Sequence, residues 1–362
     1  MNIEKIFSKS VLEKPETKRA SRSNATLDLS KLRRMGWNEN PYGMSPKALE
    51  ANIEAAKKGN FYQDFWCRDM KKAIADLHGI STSNLVVGAG SSPLIEITGT
   101  AFLNPEDEVL MCPTFAAFID MAEIRLGKVV TVPLCDDMSY NLDGLAEAIT
   151  DKTKMIVICN PNNPTGGYLP YDKIVEFVNK VPKDIVILFD EAYIEFATEQ
   201  DCKSAVPLVF EMSDRPILVM RTFSKYYGMA GVRAGYIIAN EEIAEGINKI
   251  PGSWIPAAAQ ASVVAALSEL DYYEDCKKKL VAGRDYISQE LAALGCTVYP
   301  SQSNFIMFDP HCDPAFVREQ LIEKGVMISI PMFCRVSVST QENNEYFIAC
   351  MKEILAIAKK TA

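Results

Sequence analysis

The chain has 362 residues, of which 48% are hydrophobic and 23% charged, and a formal net charge of −9; that is the composition of an ordinary globular protein with room for one large and one smaller domain. Its scattered basic residues and acidic balance argue against a nucleic-acid surface. No run reaches the roughly 18 apolar residues that span a bilayer, and the N-terminal stretch lacks the apolar core of about 7–15 residues of an export signal, so the expected setting is cytoplasmic, without membrane or nucleic-acid partners.

Residues 1–45 are polar, basic and strand-poor, and read as an N-terminal arm with no core of its own, contributing to small-domain or dimer contacts. From 46 to 256, short apolar runs (85-LVVG-88, 108-EVLMC-112, 154-KMIVIC-159, 184-DIVILFD-190 and 217-ILVM-220) are bounded by turn residues and separated by helix-length amphipathic segments. This alternation predicts an α/β fold whose large domain holds a mostly parallel sheet sandwiched by helices. After Pro251 and Pro256 the texture changes. A helical stretch over about 257–294, strands in 303-SNFIMFD-309 and 334-CRVSVS-339, and helices near 313–324 and 341–359 predict a smaller α+β domain over 257–362. Ten cysteines are dispersed without any C-x-x-C pair, beside only two histidines, His78 and His311. They read as small apolar packers, and no metal site is expected.

In an open α/β sheet, ligands gather at the carboxyl ends of the strands. The first run is followed by 88-GAGSSP-93 and a helix over 94–103. Small residues there let backbone amides and a helix N-terminus approach a phosphate, although a Gly/Ser turn before a helix is usually just a turn. The third is followed by 160-NPNNPTG-166, a loop crowded with amides and prolines. The fourth ends in Asp190, a carboxylate costly to bury after so apolar a strand unless a cation faces it. Then 221-RTFSKYYGMAGVRAGY-236 offers Thr222, Ser224, Lys225 and Arg233 between glycines, which points to an anion bound beside a reactive lysine.

NPNNPTG, DEAY, and TFSK followed by G-x-x-G-x-R-x-G, in that order, resemble the fold-type I pyridoxal-phosphate enzymes, the aminotransferase superfamily. Within it, 38-NENPYG-43, 190-DEAYIEF-196 and 334-CRVSV-338 are most similar to the histidinol-phosphate aminotransferase group, and the likeness runs from about Gly36 to the C-terminus. The resemblance implies an aspartate-aminotransferase-like fold, pyridoxal 5′-phosphate as cofactor, and transfer of an amino group between an amino acid, or a related amine such as histidinol phosphate, and a 2-oxo acid. It further implies that Lys225 forms the Schiff base and then carries the proton. Asp190 would pair with the ring nitrogen, Asn163 and Tyr193 would hydrogen-bond the phenolic oxygen, and Phe115 would stack on the ring. Ser224, Arg233 and the amides of Gly90 and Ser91 would hold the phosphate, with Thr222 a further candidate. Tyr62 would reach it from the neighbouring subunit, which implies a homodimer with shared sites. Arg335 would grip the substrate carboxylate with its planar fork.

Three departures fall in substrate-facing regions. The group usually carries a second arginine in a G-I-L-V-R-like segment, where this chain has 325-GVMIS-329 and hence Ser329. Trp254, in 251-PGSWIP-256, stands near an expected asparagine, and 15-PETKRASRSN-24 lacks the Pro-Tyr element of the arm, offering Lys18, Arg19 and Arg22 instead. An unreplaced guanidinium costs a phosphate pocket roughly 2–5 kcal/mol, so the expectation is a neutral, aromatic or extended substrate side chain facing Asn163, Trp254 and Ser329. The same scaffold also hosts decarboxylases, such as threonine-phosphate decarboxylase, and elimination or cyclisation enzymes, which fold and cofactor do not separate. A non-catalytic sensor fused to a DNA-binding domain finds no support in the segment before NENPYG.

Overall fold

The computed structural model describes residues 3–14, 27–252 and 254–361. Its strands in chain order are β1 (Arg33–Arg34), β2 (Leu85–Gly88), β3 (Glu108–Met111), β4 (Lys128–Thr131), β5 (Thr153–Cys159), β6 (Val186–Asp190), β7 (Ile217–Thr222), β8 (Gly235–Ile238), β9 (Thr297–Val298), β10 (Phe305–Asp309), β11 (Val326–Met327) and β12 (Cys334–Ser337). Seven of them form one sheet in the order β2-β8-β7-β6-β5-β3-β4. β8 runs antiparallel to β2 and β7 on either side of it, and the other neighbouring pairs are parallel.

The central strands are apolar along their whole length because both faces are covered. Val186, Leu188, Leu218 and Met220 enter one core, while Ile187, Phe189, Ile217 and Val219 enter the other, the period-two alternation of a pleated sheet. Register pairs Cys159 with Asp190 and Asp190 with Met220. Asp190 is thereby held at the carboxyl edge of the sheet between two buried strands.

The C-terminal part carries a three-stranded antiparallel sheet ordered β12-β10-β9. The expected helix over 257–294 is two helices, Ala257–Leu267 and Leu270–Ala293. Ser268 breaks it by donating its hydroxyl to the Ala265 carbonyl at 2.7 Å, a local bond that competes with continuation of the helix. The first helix packs on Pro46–Ala56 and Arg68–His78; the second lies along β9, β10 and the last helix, Gln341–Thr361.

Residues 33–45 lie against the rest of the molecule. β1 pairs in parallel with β11, Met35 is fully buried, and Asn38, Asn40 and Ser45 are buried with it. A two-residue strand and one large apolar side chain leave no periodicity to read. Lys18, Arg19 and Arg22 lie outside the described residues. Among the described residues no helix is long and apolar enough to cross a membrane.

Candidate active site

The site assembles where β5, β6 and β7 end. Asp190 is almost fully buried, accepts a hydrogen bond from the Ala192 N–H at 3.2 Å, and forms no ion pair among the described residues. Burial pushes its carboxyl up to about 6, opposed by the Ala192 N–H and the Lys225 charge and reinforced by Glu191. Lys225 follows β7 closely; its Nζ donates to the Trp37 carbonyl at 2.8 Å and lies 6.0 Å from the centre of the Tyr193 ring. Burial, with the Arg335 and Arg233 charges, brings its amine down to about 8, against the pull of Glu39 and Asp190.

Next to these groups lies a cradle of small residues. The helix expected over 94–103 begins earlier, at Ser91, and runs to Phe102. Its cap is Gly90 at φ 91°, which offers no side-chain acceptor to the first-turn N–H groups. A Cβ at Gly90 would overlap the Arg233 guanidinium. Arg233, itself at φ 70°, donates from Nη1 to Ser224 Oγ at 3.3 Å and to the Ala230 carbonyl at 2.8 Å. Thr222 Oγ1 lies 2.9 Å from Ser224 Oγ and accepts from the Ser224 N–H at 3.1 Å. A glycine-capped helix start, two hydroxyls and a guanidinium thus meet in one place, a donor set suited to a phosphate.

Across the site, Arg335 extends from β12. Its Nη1 donates to Asn163 Oδ1 and its Nη2 to the Gly36 carbonyl at 3.1 Å. The buried Nε has no partner, and no carboxylate pairs with this guanidinium among the described residues. Tyr193 packs edge-on against Phe305 with ring centres 5.1 Å apart, and its hydroxyl accepts from Asn38 Nδ2 at 3.0 Å. A cleft of about 1070 Å³ opens beside Arg335, bounded by Phe115, Ile119, Asn163, Ser329 and Met332. Ser329 bridges backbone to backbone with Arg335, its N–H donating at 3.1 Å and its carbonyl accepting at 2.8 Å.

Phe115, Asn163, Ser329 and Arg335 therefore line one cleft, and Gly90, Ser91, Ser224 and Arg233 gather in one cradle. Two expected residues stand apart. Trp254 does not border the cleft of its own chain; it is 64% exposed and packs against Phe65 and Tyr62, with ring centres 4.8 and 6.0 Å away. Tyr62 is 80% exposed on the same surface. The contributions of 36-GWN-38 were not anticipated: two carbonyls hold Lys225 and Arg335, and Asn38, at φ 56°, ties Tyr193 to Ser337. Backbone carbonyls carry no side-chain signature, so only the neighbouring NENPYG motif pointed there.

The signature of aminotransferase class I and II matches residues 30–350. The chain belongs to this family. It is 32% identical over 331 residues to the histidinol-phosphate aminotransferase of Moorella thermoacetica, covering 89% of this chain and 85% of the relative. It is 34% identical over 341 residues to histidinol-phosphate aminotransferase 2 of Carboxydothermus hydrogenoformans, covering 91% and 93%. Among solved structures, the histidinol-phosphate aminotransferase of Sinorhizobium meliloti in complex with pyridoxal-5′-phosphate superposes with a TM-score of 0.88 at 25% identity, covering 98% of both chains. The aspartate aminotransferase of Thermus thermophilus with maleate shares the fold at a TM-score of 0.83 and 21% identity, over 96% of this chain and 99% of that one. This aminotransferase is a pyridoxal-phosphate-dependent transaminase. Its residues fit the cofactor: Asp190 is a buried carboxylate that forms no ion pair among the described residues, and the cradle at Gly90 has no room for a side chain.

Proposed function

We propose that this aminotransferase holds its cofactor on Lys225 and takes as amino donor a 2-amino acid with an uncharged side chain. The observation that carries the substrate reading is Arg335, a part-buried guanidinium with no carboxylate partner among the described residues and an open, buried Nε, bordering a mostly apolar cleft. A planar fork of that kind suits one carboxylate. Where the group that the sequence resembles carries a second arginine, this chain has Ser329, which lines the cleft.

When bound, pyridoxal phosphate supplies an aldehyde that takes up amines and a ring that draws electrons from the attached carbon. Asp190 would keep the ring nitrogen cationic, while Asn163 and Tyr193 would donate to the phenolic oxygen and Phe115 would cover the ring face. Ser224, Arg233 and the amides of Gly90 and Ser91, with Thr222 behind them, would hold the phosphate. Lys225 would take the proton from the substrate α-carbon and return it. Arg335 and Asn163 would orient the substrate carboxylate.

The same reading makes the protein a cytoplasmic homodimer. Phe61, Tyr62, Phe65, Trp66 and Trp254 are all exposed on one surface, an aromatic patch larger than scattered surface residues and suited to a second copy of the chain. Tyr62 would then complete the phosphate cradle of the partner.

A second reading, histidinol phosphate as donor, is favoured by the names of the relatives. The test compares kcat/KM for histidinol phosphate with that for phenylalanine, tyrosine, histidine and leucine, in the wild type and in Ser329→Arg. The neutral amino acids are expected to lead in the wild type, and Ser329→Arg to raise histidinol phosphate selectively. If histidinol phosphate leads by tenfold or more, about 1.4 kcal/mol of transition-state preference, the second reading replaces the first.

A further inference from the structure

Asn38 is buried against Tyr193, and its amide is committed at both ends. Nδ2 donates to the Tyr193 hydroxyl at 3.0 Å, and Oδ1 accepts from the Ser337 hydroxyl at 3.0 Å. The Asn38 N–H in turn donates to Ser337 Oγ at 2.8 Å, and its carbonyl accepts from Asn304 Nδ2 at 3.1 Å. The backbone φ of 56° is one that asparagine adopts more readily than most residues. Ser337 stands on the same face of β12 as Arg335, and its N–H donates to the Met35 carbonyl at 2.7 Å. The network is therefore anchored to the strand that carries Arg335.

These hydrogen bonds have a direction. Ser337 Oγ accepts from the Asn38 N–H and sends its own hydrogen to Asn38 Oδ1, so the other end of the amide donates to Tyr193. Tyr193 is left as the acceptor, and its own hydrogen has no partner among the described residues. Were the amide reversed, Ser337 Oγ would accept from both the Asn38 N–H and the amide, and its hydrogen would be stranded inside the protein, which is costly. The Tyr193 hydrogen would then be used up on Asn38. The orientation found leaves the unmatched hydrogen on Tyr193 instead, a residue whose ring lies beside Lys225, where a bound group can accept it.

We propose that Asn38 is a positioning residue for the reaction: with its amide locked by Ser337, it occupies the Tyr193 oxygen as an acceptor and reserves the Tyr193 hydrogen for the phenolic oxygen of the cofactor. The inference rests on the reading that Tyr193 faces that oxygen. A hydroxyl whose oxygen already accepts a hydrogen bond is also the stronger donor. The charged and titratable groups facing Tyr193 are Lys225, Arg335, Asp190 and Cys159. Asn38 is neutral, so it acts through the direction of a hydrogen bond and not through charge.

The test is a pH titration of the visible absorption of the full-length enzyme reconstituted with pyridoxal phosphate, which reports the proton on the Lys225 nitrogen once the cofactor is attached. A hydrogen bond donated to the phenolic oxygen offsets its negative charge, and that charge helps to hold the proton on the nitrogen. Weakening the bond therefore raises the midpoint. Tyr193→Phe is expected to raise it by about 1 pH unit. Asn38→Gly, which fits a φ of 56°, or Ser337→Ala should the first not fold, is expected to raise it by about 0.5 unit, since the donor stays but loses its direction. Either change added to Tyr193→Phe should move the midpoint by less than about 0.2 unit more, because two substitutions acting on one hydrogen bond are not additive. A merely loosened site would give a further shift. A wild-type midpoint in whichever of Asn38→Gly and Ser337→Ala folds, or a further shift in the double variant, overturns the proposal. Tyr193→Phe separates the two levels: an unchanged midpoint in that variant overturns the reading of Tyr193 itself.

Discussion

Asp190 is buried and Lys225 part-buried in one site, and desolvation shifts them in opposite directions, the carboxyl up to about 6 and the amine down to about 8. Each shift leaves a mark on the stability of the apoenzyme. The raised carboxyl binds its proton more tightly folded than unfolded, so its contribution is complete below about pH 4 and is lost as pH rises through 6. The depressed amine resists protonation when folded, so it penalises the fold below about pH 8, and the penalty lifts as pH climbs towards the ordinary lysine value. Each limb is worth at most about 3 kcal/mol, at roughly 1.4 kcal/mol per pH unit. Thermal unfolding of the apoenzyme between pH 4 and 10 should show Asp190→Asn flattening the acid limb and Lys225→Ala the alkaline one; unchanged limbs would contradict these shifts. Gly90 permits a second prediction. Gly90→Ala places a methyl group against the Arg233 guanidinium at a φ of 91°, a backbone strain of about 1–3 kcal/mol. Cofactor affinity, followed by fluorescence titration, is expected to fall by about tenfold or more, while secondary structure by circular dichroism stays intact.

At the level of elements, the long helix Leu270–Ala293 meets the last helix at Gly283. A Cβ there would stand 2.7 Å from Asn344 Nδ2 and 2.8 Å from Val338 Cγ1. Helix propensity favours alanine over glycine by about 0.8–1 kcal/mol, whereas overpacking costs typically about 1–3 kcal/mol. Asn344 cannot easily yield, since its amide bonds both the N–H and the carbonyl of Ser339, at 2.9 and 3.1 Å. Overlap should therefore win, and Gly283→Ala is expected to lower Tm; a higher Tm would mean that the two helices slide apart at little cost. The same scale explains what could be read in advance. Strands β2, β3, β5, β6 and β7 were legible because apolar runs between turn residues are what a doubly covered sheet demands. β4 was not, since its ends are exposed and its middle only half-buried, and β1 with β11 offers two residues each. The residues at the ends of β5, β6 and β7 stood out because amides, a carboxylate and an amine are costly neighbours for apolar strands. Gly36 and Trp37 did not, because they act through carbonyl groups that every residue possesses.

For the molecule as a whole, the question is why Tyr62 and Trp254 should be left in water. Both are more than half exposed beside Phe61, Phe65 and Trp66, on a surface formed where Pro46–Ala56 packs against Ala257–Leu267. A homodimer built on that surface would bury the aromatic patch and bring Tyr62 of each chain to the site that contains the other chain's Lys225. A hydrogen bond to a charged phosphate contributes about 1.5–3 kcal/mol, so Tyr62→Phe should weaken cofactor retention by about ten- to hundredfold, while Lys225→Ala should hold cofactor yet lose turnover. Unfolding and refolding the two variants together lets subunits exchange. Each mixed dimer then has one site with both substitutions and one with neither. Random pairing makes about a quarter of all sites fully wild-type, so at limiting cofactor the mixture should exceed the activity of either parent. Activity equal to the mean of the parents would mean that Tyr62 serves its own chain or none, and a protein fully active as a monomer at every concentration would remove the reason for the patch.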